Sequence, residues 1–302
     1  METQLVSIFF EGGRLDGSID LVLRMEDCTR LSQSIGPVKE YEILELAQSN
    51  NVLVPEPLFV DDTGTIFNKP SFFMKYISGA ATSQPKSWDH DPYNETPSLT
   101  QKIGGQLAKI HNITLDRREL DLLHPRSQVA STDYFSQQLD QLPTSLPTIE
   151  WAIRWLKKYQ QKPIHKTLCH GDFRNGNIMR DNKILTGIID WEFAYQGDPL
   201  EDLGWFCARC WRLGNDEKKA GGIGDLEDLI KGYEKEAKMK VDWSMLPYWE
   251  INATVHWAII AHQQGFRYSN DPKKNLELAL TAVKAVEIES DILDQIHKFE
   301  CQ

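Results

Sequence analysis

β-prone apolar residues cluster in Leu5–Phe10 and again in Ile19–Arg24, and the glycines and aspartate of the intervening EGGRLDG suit a reversal of the chain. The pattern predicts two antiparallel strands, with residues 12–17 as a hairpin turn. From Pro37 the period changes. At about 100° per residue, Glu40 of PVKEYEILELAQS shares a stripe with Ile43, Leu44 and Ala47, while Glu42 and Glu45 point away. One carboxylate therefore faces the interior, where it needs a cation or hydrogen-bond donors.

VPEPLFVDDTGTIF and SFFMKYISG read as two more strands divided by a DDTG turn. After Gly79 comes a polar stretch, SQPKSWDHDPYNETP, then the helical QKIGGQLAKIHNI. A boundary near residues 76–80 would separate a β-rich lobe, 1–78, from a larger lobe, 79–302. The second lobe is helical in PLEDLGWFCARCWR, in GDLEDLIKGYEKEAK and from Pro247 onward, with one β island from Thr167 to Ile189. The expected class is α+β: a small antiparallel β lobe, a larger mainly helical lobe, and a ligand cleft between them.

Composition narrows the partners. Lys and Arg total 33 against 44 Asp and Glu, a formal charge of −11, which disfavours a broad electrostatic hold on nucleic acid. The most apolar run, ATVHWAIIA, is too short to span a membrane. Five cysteines, an odd number, with no secretory leader ahead of them, fit a reduced, cytoplasmic setting, and CARC (207–210) reads as buried thiols for want of further zinc ligands. Oligomeric state is not legible.

The chemistry concentrates in LCHGDFRNGNIMRDNKILTGIIDWE, residues 168–192. Asn177–Arg180 and Ile184–Ile189 read as strands around the turn residues Asp181, Asn182 and Lys183. A hairpin centred between Lys183 and Ile184 sets Asn177 opposite Asp190, bringing an amide oxygen and a carboxylate to one point. Magnesium favours such hard donors and fills its other positions with water and substrate phosphates. Asp172, in the loop opened by His170 and Gly171, could orient an attacking hydroxyl and accept its proton. That combination predicts phosphoryl transfer.

HGDFRNGN followed by IIDWE resembles the aminoglycoside phosphotransferase and choline kinase-like enzymes, relatives of protein kinases, which carry H-x-D-x-x-x-x-N and an Asp about thirteen residues later. With GDPLEDLGWF, the string looks most like the branch of phosphotransferase domains associated with acyl-CoA dehydrogenases. LVLRMED, PVKEYEILELA, SFFMKYISG and LAKIHNI extend the resemblance through most of the chain.

The resemblance implies a protein kinase-like two-lobed fold and transfer of a γ-phosphoryl group from ATP, or GTP, with Mg2+, to a hydroxyl of a small molecule. It makes Asp172 the catalytic base, His170 a loop-organising residue, and Asn177 and Asp190 the magnesium ligands. Arg24 stands in the usual Lys position on the nucleotide phosphates, held by Glu40, and Met74, Lys75, Tyr76 and Ile77 border the adenine. An Arg snorkelling at a strand end is the alternative for Arg24. The family also has a first strand and a small-residue loop before the strand that Leu5 begins, and Met1–Thr3 stands where that loop ends. The resemblance therefore implies either a start inside that loop or an incomplete nucleotide lobe.

Around this centre, Asp198 reads as a helix cap and Asp202 as a brace for the catalytic loop, while Arg174 and Asn175 serve either the loop or the ligands. One or two of Trp205, Trp211, Trp243, Trp249 and Trp257 are expected to line the acceptor site. His256 and His262, six apart, are poorly spaced for a shared metal. Two other functions compete: a nucleotide-binding pseudokinase, suggested by Arg24 and the N-terminal departure, and a metal-dependent phosphatase, which lacks the dispersed His and carboxylate ligands of a two-metal site.

Overall fold

A computed structural model of the 302-residue chain describes residues 1–12, 17–26, 34–81, 97–160, 166–181, 184–272 and 275–301. The expected turns at 13–16 and Asn182–Lys183, the polar stretch at 82–96, and Cys28 lie outside the described residues.

β1 (Glu2–Phe10) and β2 (Gly17–Met25) pair antiparallel, with Thr3 opposite Arg24. β3 (Pro57–Asp61) and β4 (Ser71–Lys75) complete a four-stranded antiparallel sheet of order β1-β2-β4-β3. β3 stops at Asp61, where the DDTG turn is expected. Its carboxylate accepts the Thr65 and Ile66 backbone N–H groups at 3.0 and 2.7 Å, folding the DDTG segment into a turn.

Helix α1 (Pro37–Ser49) packs on this sheet, with Pro37 pre-setting its first turn. Ile43, Leu44 and Ala47 are buried as their spacing requires, and Glu40 is buried with them. The two lobes meet along backbone hydrogen bonds. Ile35 N–H donates to Glu192 O and Ile188 N–H to Leu53 O, while just past the boundary Ala80 and Arg180 exchange a reciprocal pair.

The larger lobe contains α2 (Leu99–His111), α3 (Arg117–Leu122), α4 (Ser131–Leu139) and α5 (Pro147–Tyr159). After the β island it continues with α6 (Pro199–Cys207), α7 (Leu226–Glu236), α8 (Leu246–Asn270), α9 (Leu276–Ala282) and α10 (Ala285–Glu300). α2 and α7 approach backbone to backbone. A side chain at Gly104 would meet the carbonyl of Leu229, and one at Gly232 the carbonyl of Gln101, so these glycines set the helix separation. α6 begins as expected: Asp198 accepts Leu200 N–H at 2.9 Å, Glu201 reaches back to Asp198 N–H, and Pro199 follows. The helix predicted through CARCWR instead ends at Cys207 and gives way to a 3-10 turn, Arg209–Trp211.

The β island is two small sheets. β5 (Thr167–Cys169) pairs with β8 (Tyr195–Gly197), and β6 (Ile178–Asp181) pairs with β7 (Ile184–Ile188). β8 was not legible, because three residues are too short to show a period.

Candidate active site at the lobe junction

The catalytic-loop candidates hang from β5. Its next residue, His170, is fully buried: Nε2 lies 3.0 Å from Ile189 O, and Nδ1 accepts Asp172 N–H at 3.2 Å. These partners fix one neutral tautomer, and burial lowers the imidazole pKa further. Gly171 follows at φ 83°, where a side chain would strike the Phe193 backbone.

Asp202, buried in α6, holds the loop from behind. Its carboxylate accepts His170 N–H at 2.7 Å and Gly171 N–H at 3.0 Å. His111 from α2 lies 3.3 Å away, its other nitrogen 2.8 Å from Tyr233 OH. His111, Cys169 and Asp202 bring ligand-type atoms within 4.8 Å of one another, but the Asp202 oxygens are already spent on loop amides, so the cluster is structural. Replacing Asp202 with Asn would turn an N–H toward a buried donor. We expect a loss of about 2–3 kcal/mol in unfolding free energy, measured by denaturant titration.

Asp172 is 9% exposed and fully engaged. Arg174 Nε lies 3.0 Å from both carboxylate oxygens, Trp205 Nε1 donates to Oδ1 at 3.0 Å, and Asn177 Nδ2 donates to Oδ2 at 2.8 Å. Burial raises its pKa while Arg174 opposes the rise. A buried, strongly hydrogen-bonded carboxylate is a suitable proton acceptor for a hydroxyl brought to it. Arg174 thus braces the loop and also lines the cavity beside it, while the Asn175 amide donates to Gly221 O.

Asn177 does not face Asp190 across the hairpin. Ile178 pairs with Ile188, and Ile189 N–H donates to Asn177 O, so the partner of Asn177 is Ile189. Asp181 pairs with Ile184, which puts the hairpin centre one residue earlier than expected, and the register shift between Met179 and Arg180 makes up only part of that difference. Asp190 lies one residue past the pair, at φ 68°, a left-handed conformation uncommon outside glycine.

Arg24 links the lobes. Its Nη2 donates to Glu40 at 2.9 and 3.0 Å and to Asp190 Oδ1 at 2.8 Å, while Nη1 reaches Thr3 at 3.2 Å. The Arg24–Glu40 pair matches the inward stripe, and an arginine only 8% exposed is not a snorkelling side chain. The bridge to Asp190 was not legible. Burial pushes the Glu40 carboxyl up to about 7, against the pull of Arg24, and Trp191 N–H also donates to it at 3.2 Å. Arg24 holds the Asp190 carboxyl below its ordinary value.

The donor set suits a hard divalent cation. Among the described residues, Asn177 makes both its side-chain hydrogen bonds through Nδ2 to Asp172 and none through Oδ1, and Asp190 bonds Arg24 through Oδ1 and not Oδ2. Of the residues expected at the adenine, Met74 packs into the core, while Lys75 and Tyr76 are exposed where β4 ends and Ile77 fills the space above Gly187.

Beside Asp172 a cavity of about 280 Å³ is lined by Trp205, Trp211, Trp257, His256, Arg126 and Arg174, among others. Three of the five tryptophans considered thus reach it, whereas Trp243 donates to Glu234. His262 pairs with Glu289, away from His256. Burial, aided by Arg126, lowers His124 at the cavity wall to about 4. Its unfolded value is higher, so unfolding takes up a proton. Stability is therefore retained above about pH 6.5 and falls as pH drops toward the folded value. A His124→Gln variant should flatten this fall in urea titrations across that window.

A four-stranded sheet with one packed helix, a helical lobe and a catalytic-type loop at their junction define a protein kinase-like fold. Residues 9–238 match the Phosphotransferase enzyme family, and the chain belongs to it. Among curated proteins it is 25% identical over 205 residues to acyl-CoA dehydrogenase family member 10 of Mus musculus, covering 62% of this chain and 18% of that protein. It is 23% identical over 229 residues to family member 11 of Pongo abelii, covering 70% of this chain and 29% of that protein. The chain thus corresponds to under a third of these relatives' length. A 4-hydroxytryptamine kinase of Psilocybe cyanescens is 23% identical over 239 residues, covering 68% of this chain and 62% of the kinase. Similar solved folds include amicoumacin kinase hAmiN in complex with AMP-PNP and Ca2+, with a TM-score of 0.64 and 14% identity, covering 96% of this chain and 88% of that one. A choline/ethanolamine kinase family protein of Mesorhizobium loti gives 0.59 and 18%, covering 97% and 88%.

Proposed function

We propose that this chain transfers the γ-phosphoryl group of ATP to a hydroxyl of a small molecule. The observation that carries the reading is the gathering at one junction of a buried carboxylate beside a cavity, Asp172, and two hard oxygens, Asn177 Oδ1 and Asp190 Oδ2. Asp172 orients the acceptor hydroxyl and takes its proton. Asn177 and Asp190 hold Mg2+, which when bound neutralises charge on the transferring phosphoryl group. Arg24, kept in place by Glu40, turns from Asp190 to the nucleotide phosphates. His170 fixes the loop rather than touching the ligands. Met74–Ile77 border the base, and no observation favours GTP over ATP. A spectinomycin phosphotransferase solved with ADP and spectinomycin has a similar fold, with a TM-score of 0.58, and the 4-hydroxytryptamine kinase is a relative named for a hydroxylated substrate.

A reduced, cytoplasmic setting accords with the free Cys169, Cys207, Cys210 and Cys301, and the acidic net charge disfavours nucleic acid as a partner. Among the described residues no helix is long and apolar enough to cross a membrane.

One observation favours a second reading, a nucleotide-binding pseudokinase: Arg24 occupies one oxygen of Asp190. A screen for ADP release across hydroxylated metabolites separates the two. Transfer to at least one alcohol, reduced about a hundredfold or more in Asp190→Ala, supports the kinase. ATP binding without transfer to any alcohol supports the pseudokinase.

A further inference from the structure

We propose that the cavity beside Asp172 takes an alcohol carried on a flat, largely apolar body and excludes polycationic acceptors. The inference deepens the proposed function and rests on its assignment of Asp172 to the acceptor side.

The wall is a continuous run of rings. Trp211 and Trp257 lie 4.7 Å apart between centroids, Trp205 and Trp211 5.2 Å, and Trp205 and His256 5.4 Å. The run ends on the base itself, because Trp205 Nε1 donates to Asp172. Successive rings are tilted by 51–52°, so a planar molecule would lie on one face with the neighbouring rings meeting its edge, and against Trp205 it would present a hydroxyl at its end to the carboxylate. The volume of about 280 Å³ is close to the roughly 300 Å³ at which small-molecule sites begin, and suits one or two rings.

The charge of the wall argues against an acceptor bearing several ammonium groups. Asp172 is the one carboxylate among the described lining residues, and Arg174, Asn177 and Trp205 already donate to it. Against it stand two guanidinium groups. Arg126 pairs with Glu201 at 2.5 Å and stacks on Tyr195 at 4.1 Å, and Arg174 stacks on Trp211 at 5.1 Å. Each ammonium entering here would lose its water and find at most the one carboxylate, Asp172, whose charge Arg174 already offsets. Gln263 and Gln264, also on the wall, add no charge, and they hydrogen-bond to Gln138 and Arg267 respectively.

The test is isothermal titration calorimetry, without ATP, with tryptophol, naphthalenemethanol and kanamycin. At least one flat alcohol should bind at least about tenfold more tightly than kanamycin. Trp211→Leu and Trp257→Leu, each checked for native circular dichroism, should weaken that binding about tenfold. Binding by neither flat alcohol, kanamycin binding equal or tighter, or indifference of two folded variants would overturn the inference. The wild-type comparison stands even if neither variant folds. ADP release by the same alcohols with ATP separates the two claims. Flat-alcohol binding with no transfer to any acceptor supports the pocket reading and defeats the kinase, whereas transfer to kanamycin without flat-alcohol binding does the opposite.

Discussion

Asp172→Asn is expected to slow phosphoryl transfer by about a thousandfold while leaving nucleotide affinity nearly unchanged. The carboxylate lies on the cavity side of the junction, and the variant removes its proton-accepting charge without emptying its volume. Because Arg174, Trp205 and Asn177 all donate to it, part of the effect could be a shifted loop. Thermal unfolding of the variant resolves this, since a loop that has lost its anchor also lowers the midpoint. A folded variant that binds ATP normally and transfers within a few-fold of the wild-type rate would remove Asp172 from the role of base.

Arg24→Met should cost about 3 kcal/mol in stability and abolish detectable transfer. The stability loss arises at Glu40, only 1% exposed, which the variant leaves as a buried carboxylate without its cation. Pairing the change with Glu40→Met removes the stranded charge, so the double variant should recover most of the stability but none of the transfer. A double variant as unstable as the single one would place the energy elsewhere. Recovery of transfer would show that Arg24 is dispensable for the phosphates.

The residues of this bridge illustrate what was legible in the sequence. Glu40 on an apolar helical stripe needed a cation or hydrogen-bond donors, and Arg24 and the Trp191 N–H supply them. The link from Arg24 to Asp190 joins residues 166 positions apart, and no local period encodes such a contact. Likewise the hairpin was legible, yet the pairing of Asp181 with Ile184 set its centre one residue earlier than turn residues 181–183 imply, and Asp190 was displaced from its expected partner.

His111 could have been found. It continues the buried stripe of Ile103 and Leu107 on α2, a polar residue on an apolar face that requires a partner just as Glu40 does. Trp205 could also have been placed, since it follows Asp202 by one helical turn and shares its face toward the loop. The arrangement of rings around the cavity was not legible, because Trp205, Trp211 and Trp257 come from α6, a 3-10 turn and α8, and only their packing brings them together.

The most direct test is a crystal structure of this chain with a non-hydrolysable ATP analogue and Mg2+. The account predicts one ion held by Asn177 Oδ1 and the Asp190 carboxylate, with the Arg24 guanidinium moved from Asp190 onto a phosphate and the γ-phosphoryl group directed at the cavity beside Asp172. Nucleotide bound with Arg24 still on Asp190, and the ion on other ligands, would contradict it.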